Sequence, residues 1–224
     1  MGSTAMTLPT ADGSANQILK TDGSGALSWT ANSGSGASNI TGLTDGLVED
    51  NSIYVGNDPS STTSTAEYNL AVGTTALDAI TTGDKNVAIG YNALTANTSG
   101  VQNTALGYLS LRALTTGSSN TALGSSTLMY NTTGSYNLAL GMNSLNANTT
   151  GTRNIAIGYD ALGSPDTEND NLAIGYEALK GSIAGGEFNV AIGNYSLDAN
   201  TTGDDNVSVG YNSLTANTTG NYNT

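Results

Sequence analysis

Cysteine and histidine are both absent from the 224 residues of this chain. Without cysteine there is no disulfide framework and no thiolate chemistry, and the redox compartment stays open. Without histidine the chain lacks the commonest general base, the commonest transition-metal ligand and the side chain that switches charge near neutral pH. Aromatic residues are scarce apart from 11 Tyr, with one Phe and one Trp, so an aromatic-rich core cannot form. Bases are scarcer than acids, 5 against 18, for a net charge of −13. Such a chain has no basic stripe to displace counterions from nucleic acid, and anionic lipid repels it. Neither nucleic-acid binding nor membrane insertion is expected. No apolar run reaches membrane-spanning length, and the opening Met1-Gly2-Ser3-Thr4-Ala5-Met6-Thr7-Leu8 has no basic or apolar region of a signal peptide.

What the chain has is a short motif, Asn-x-Ala-(Ile/Leu/Val)-Gly, repeated nine times. The copies open at Asn69, Asn86, Asn103, Asn120, Asn137, Asn154, Asn171, Asn189 and Asn206, and a tenth starts at Asn223. The step is 17 residues except for one extra residue between Asn171 and Asn189. A fixed short period predicts stacked coils, each burying a face on its neighbours. The same regularity argues against disorder, despite only 10% charged and 37% hydrophobic residues.

Numbered from its Asn, each coil has an aliphatic residue at position 2, except Thr104 and Thr121, and always Val, Ile or Leu at position 4. Position 3 is Ala in every coil but the last, which has Ser208. This reads as a short strand with positions 2 and 4 on one face and position 3 on the other. The small Ala face is expected to be the one another backbone approaches closely. Position 5 is always Gly, where the strand bends or adopts a conformation that a Cβ forbids. Position 9 is always Leu, from Leu77 to Leu214, and predicts a second short strand. Positions 12–15, typically Asn-Thr-Thr-Gly as at Asn131 to Gly134, predict a turn closing on a Gly of positive φ. The Asn of position 1 is expected to stack into a ladder of side-chain amides.

The expected architecture is therefore all-β: a parallel β-roll, or solenoid, of 17-residue coils over 69–224, preceded by a degenerate capping coil over 52–68. Apolar burial per coil falls short of the entropy of ordering it, so self-association along the Ala face, as a symmetric homotrimer, is expected. Upstream, 16–21 and 26–30 predict an N-terminal hairpin and attachment segment spanning 1–30. Residues 31–51 predict a Gly/Ser linker, with 40–50 as a short helical or turn segment docking on the first coil. A chain stopping two residues into a coil predicts a fragment of something longer.

The coil Asn154-Ile155-Ala156-Ile157-Gly158-Tyr159 resembles the Asn-Ser-Val-Ala-Ile-Gly repeats of trimeric autotransporter adhesin heads, the YadA-like family. That resemblance implies a trimeric parallel β-roll with an adhesive role, although the family's repeats are shorter than 17 residues. The N-terminal stretch, from Leu8-Pro9-Thr10-Ala11-Asp12-Gly13 to Ala26-Leu27-Ser28-Trp29, looks like a segment common in phage tail fibres. Such fibres often carry a self-cleaving C-terminal trimerisation chaperone. The fibre resemblance implies a shaft in a virion, joined to other virion proteins through its N-terminus and contacting a host-cell glycan or protein. The alternative is an adhesin head on a bacterial surface.

Candidate receptor contacts are the Tyr columns at position 6, with Tyr91 beside Tyr108, Tyr159 beside Tyr176, and Tyr211 alone. The irregular turns of coils six and seven add Asp166, Glu168, Asp170, Glu187 and Phe188. Those acids, with Asp204 and Asp205, would gather on one edge if their turns stack, and oxygen-rich crowding of this sort could hold Ca²⁺. The Gly-Gly-x-Gly-x-Asp repeat of calcium-binding rolls is absent, and no cofactor is expected. Adjacent Thr in a turn do not form the regular Thr-x-Thr columns of an ice-binding face. No enzyme is expected, because no nucleophile–base pair can be assembled and a thin rod has no cleft for two acids.

Overall fold

A computed structural model describes residues 17–21, 26–31, 46–49, 51–56, 62–164, 167–181 and 186–224, together with Pro9, Ser24 and Pro59. The chain divides into two units, Met1–Thr44 and Asp45–Thr224. In the first, β1 (Gln17–Thr21) pairs antiparallel with β2 (Leu27–Ala31), Gln17 facing Ala31 and Thr21 facing Leu27. This is the hairpin the sequence predicts. The linker assigned to 32–38 lies outside the described residues.

The second unit is a parallel solenoid. Its sheet starts with β3 (Gly46–Glu49) and β4 (Ser52–Val55), which pair antiparallel. One strand per coil comes next: β5 (Leu70–Val72), β6 (Val87–Ile89), β7 (Thr104–Leu106), β8 (Thr121–Leu123), β9 (Leu138–Leu140), β10 (Ile155–Ile157), β11 (Leu172–Ile174), β12 (Val190–Ile192) and β13 (Val207–Val209). The strands stand in sequence order from β3 to β13, an 11-stranded sheet whose partners from β4 onward are parallel. Register is position on position: Ala88 faces Ala105, which faces Ala122. Residues 46–49, expected to be helix or turn, are instead a strand, because Val48 and Leu47 can pair across the end of the sheet with Ile53 and Tyr54. In the coil that carries β4, Ser52 occupies the Asn position, and its Oγ accepts the Asn69 N–H at 2.9 Å.

The Asn ladder also forms. From Asn86 onward each Asn donates its backbone N–H to the Oδ1 of the Asn one coil earlier, at 2.9–3.1 Å. Within the stack the Nδ2 also reaches the carbonyl that closes its own coil, as Asn120 does to Gly134 at 2.9 Å. A buried amide thus has its donors and acceptor satisfied, the condition under which burying it is tolerable.

Three expectations are overturned. The Ala face is not an approach surface for another chain. Ala71, Ala88, Ala105, Ala122, Ala139, Ala156, Ala173 and Ala191 are fully buried inside their own coil, packed with the position-9 Leu column. The position-9 Leu side chains occupy the rest of that interior, so the inward strand position holds a small residue. Positions 2 and 4 consequently point outward.

The second strand does not exist either. Positions 6–11 form two successive turns, with Ala76 N–H donating to the Gly73 carbonyl at 3.2 Å and Ile80 N–H to that of Leu77 at 3.3 Å. Positions 7 and 9 are left-handed, as at Asn92 (φ 55) and Leu94 (φ 51). A left-handed Leu costs about 1–2 kcal/mol, comparable with the roughly 1.5–3 kcal/mol from burying its side chain. The inversion turns that side chain into the coil, while its N–H still bonds the next coil, Leu94 to Ser110 at 3.1 Å.

Third, the Gly at position 15 has no positive φ. It is required by closeness: a Cβ on Gly117 would lie 2.3 Å from the Gly134 carbonyl oxygen. Positive φ belongs to position 5, where it runs from 123 to 142 between Gly73 and Gly210.

Candidate interaction surface

Inward positions consume Asn, Ala, Leu and Gly, so whatever the rod contacts must be read from its outer columns. Along the sheet face run two parallel aliphatic columns. Position 2 contributes Leu70, Val87, Thr104, Thr121, Leu138, Ile155, Leu172, Val190 and Val207, and position 4 contributes Val72, Ile89, Leu106, Leu123, Leu140, Ile157, Ile174, Ile192 and Val209. All are half-buried or exposed. With coils about 4.8 Å apart and strand neighbours i and i+2 on one face, the strip is about 40 Å long and about 12 Å wide. At on the order of 500 Å² it is at the upper end of what monomers leave uncovered. Two apolar strand faces predict that neither looks at bulk water, yet this one does. The signal against that is Thr104 and Thr121: position 2 tolerates a hydroxyl, position 9 never does.

The Tyr columns form on an adjoining edge. Tyr91 and Tyr108 stack with centroids 5.6 Å apart and planes 14° from parallel. Tyr159 and Tyr176 stack at 5.1 Å and 13°. Tyr211 is not alone. It meets Tyr195 edge-on at 6.1 Å, and Tyr195 meets Tyr176 at 5.4 Å, joining four rings into one column. Tyr195 escapes the sequence pattern because it occupies position 7 of its coil. Stacked partners cover each other's ring faces on one side, so edges and phenol oxygens contribute much of what the column presents to solvent. The Tyr176 phenol is held protonated above its usual range by its hydrogen bond to Glu177, aided by burial. Beside it, Lys180 Nζ bonds Asp160 Oδ2 at 2.8 Å and Glu177 Oε1 at 3.2 Å. Its pKa is pushed up, first by the bond to Asp160.

Among the described residues the acids of coils six and seven stack from coil to coil without forming a metal-holding cluster. Asp166 lies outside the described residues. Glu168 takes the position-15 place that Gly holds in the coils before it and is buried, with Thr167 N–H donating to its Oε2 at 3.0 Å. Asp170 forms a two-pronged pair with Arg153, both contacts at 2.7 Å. Glu187 Oε1 accepts Asn169 Nδ2 at 2.8 Å, and Asp204 Oδ1 accepts the Glu187 N–H at 2.9 Å. Phe188 is exposed. Among the described residues no three such side chains come together as a metal site. Asp170, Glu187 and Asp204 act instead as coil-to-coil spacers.

The Arg153 guanidinium holds the Asp170 carboxyl below the usual carboxylate range. A lowered folded pKa means stability present above the unfolded value and lost as pH falls through the folded one. The Arg153 side chain is largely open to solvent and that of Asp170 partly so, and screening leaves little of it. Arg153→Gln is expected to leave the thermal midpoint unchanged within error at neutral pH and at pH 2. A clear drop at neutral pH, measured by circular dichroism, would show that this pair does more than align two coils.

No protein-family model, no curated protein and no solved structure matches the chain.

Proposed function

We propose that this chain is a structural protein whose solenoid works as a rod: the shaft of a fibre, of the phage tail-fibre kind, assembled as a homotrimer through its sheet face. The observation that carries this reading is the uncovered double column of aliphatic side chains along a parallel sheet. Two copies meeting there would bury about 1,000 Å², the lower bound of a stable interface. A third copy closes the flanks, and a closed symmetric ring of copies leaves no aliphatic strip to water. The role is mechanical projection, with the Tyr edge (Tyr91, Tyr108, Tyr159, Tyr176 and Tyr211) and the Phe188 region as contacts for a host-surface glycan or protein. Attachment to other virion or appendage proteins falls to the N-terminal unit. The second reading, an adhesin head at a bacterial surface, is favoured by the same columns and the same repeat motif. Neighbouring virion genes would point to the first; an encoded membrane-anchor domain would point to the second.

Light scattering on a sizing column tests assembly. The expected mass is about three times the 22.5 kDa chain. Ile157→Lys with Ile174→Lys is expected to give a folded monomer, since both side chains point outward and each charge would be buried only in the assembly. A monomeric parent chain that is stable to dilution would remove the fibre and adhesin readings together.

A further inference from the structure

An aliphatic column of identical coils has a weakness as an interface: it looks the same after a slip of one coil. Slid by about 4.8 Å, copies would again place Leu, Val and Ile against one another, so apolar burial alone selects neither register nor polarity. Two residues break the translational repeat. Position 2 is aliphatic in seven coils and Thr in two, and these two are adjacent: Thr104 in β7 and Thr121 in β8, directly paired in the sheet. Both side chains are half-buried on the outward face. Among the described residues, neither hydroxyl has a hydrogen-bond partner within the chain.

We infer that Thr104 and Thr121 form a polar layer that fixes the axial register and the parallel orientation of copies of this chain. The inference rests on the self-association proposed above and names the residues that decide its geometry. In a parallel, unshifted assembly the hydroxyls of all copies meet in the same two layers and can donate to one another, as threonines facing each other across strands do. After a slip of one coil, Thr104 of one copy still meets Thr121 of the other, but the remaining two hydroxyls face Leu138 and Val87 and are buried without partners; a slip of two coils or more strands all four. In a fully overlapping antiparallel arrangement, Thr104 and Thr121 face Leu172 and Ile155, with the same result. A lone polar residue in an apolar seam sets the register of coiled coils by the same physics, lowering stability in exchange for uniqueness.

The chain has no cysteine, so a single label can be placed anywhere. Ser99→Cys and Thr202→Cys lie at the same exposed position of coils two and eight, on the face that carries the Thr turns. Chains carrying a nitroxide at one site are co-assembled with chains carrying a gadolinium chelate at the other. Pulsed electron paramagnetic resonance then reads only distances between copies. The axial offset between the two sites is six coils, about 29 Å, and shifts by a full coil step on every slip. The parent chain is expected to give one narrow distance. T104V/T121V, near-isosteric and outward-facing, is expected to keep the assembled mass but to spread into several distances separated by coil steps. A single distance in T104V/T121V, or several in the parent, overturns the inference while leaving assembly intact. No distance between copies, with the mass of one chain, overturns the assembly reading itself and this inference with it.

Discussion

Gly107→Ala is expected to destroy cooperative folding of the solenoid, whereas Gly210→Ala in the same column is expected to cost only about 1–3 kcal/mol. Both residues occupy position 5 with nearly the same backbone, φ 142 and φ 132, a region that L side chains rarely adopt. They differ in their neighbours. A Cβ on Gly107 would lie 2.3 Å from the carbonyl oxygen of Gly124 and 2.6 Å from its carbon, backbone atoms that cannot move without opening β7 from β8. A Cβ on Gly210 would meet only the Ser213 Cβ, at 3.9 Å. The pair therefore separates the conformational penalty from the steric one. For Gly107→Ala a loss of more than about 4 kcal/mol is expected, the range reached only by severe packing or backbone conflicts. Urea unfolding followed by circular dichroism measures both. Equal losses would mean that the spacing of coils is soft enough to absorb a methyl group.

Asn120→Leu should come next in severity. Its Oδ1 accepts the Asn137 N–H and Nδ2, both at 3.1 Å, and its own Nδ2 donates to Asn103 Oδ1 at 3.1 Å and Gly134 O at 2.9 Å. Leucine has similar bulk but none of these bonds. It would strand the buried Asn137 backbone N–H, at about 1–3 kcal/mol, and remove one of the two bonds at the Asn137 Nδ2 and at the Gly134 carbonyl, which keep Gly151 O and Asn131 Nδ2. A loss of about 3–5 kcal/mol is expected, with faster amide exchange at Asn137 on the next coil. Asn120→Asp keeps the acceptor, loses the donor and aims a carboxylate at the Gly134 carbonyl, so its loss should shrink as the pH falls and the carboxyl is protonated. Indifference of amide exchange at Asn137 to either change would mean that the amide column is set by the stacking of coils and does not hold it.

Both effects arise from one device. Coils of 17 residues whose interior is little more than an Ala and a Leu column cannot be held by apolar burial alone, so peptide groups and side-chain amides bond every coil to the next. Position 16 adds a further rail. Ser118 and Ser135 Oγ accept the Val101 and Ser118 N–H groups at 3.1 and 3.0 Å, and Asp84 Oδ1 accepts that of Glu67 at 2.8 Å. Ser and Asp both serve as acceptor there, which is why the sequence at that position looks irregular; Val101, in the same position, has no acceptor and interrupts the rail. Most position-12 Asn residues, such as Asn131, are likewise occupied: Oδ1 takes the Gly134 N–H and Nδ2 donates to its carbonyl, both at 3.0 Å, whereas Asn148 keeps the Nδ2 bond to Gly151 but its Oδ1 is buried without a partner. Their Asn-Thr-Thr triplets are thereby structural.

Period, coil count, the parallel stack, the Asn ladder, the strand at positions 2–4 and the place of Ser52 at the Asn position were all determined by the sequence, because a repeat forces equivalent residues into equivalent surroundings. One position of the Asn column fixes all the others. Which side of the strand faces inward was not determined that way, since alternation only separates Ala from its aliphatic neighbours without assigning the interior. The usual expectation, that the larger apolar residues of the strand face inward, fails here because the two turns bring the position-9 Leu side chains into that space and leave room beside them only for Ala. Left-handed Leu at position 9 also had no local signal; its backbone is dictated by the need to aim a side chain inward while its N–H reaches the next coil. The fourth ring of the Tyr column escaped for a related reason. Tyr195 is displaced by one position in sequence, and only the tertiary stack brings it beside Tyr176 and Tyr211.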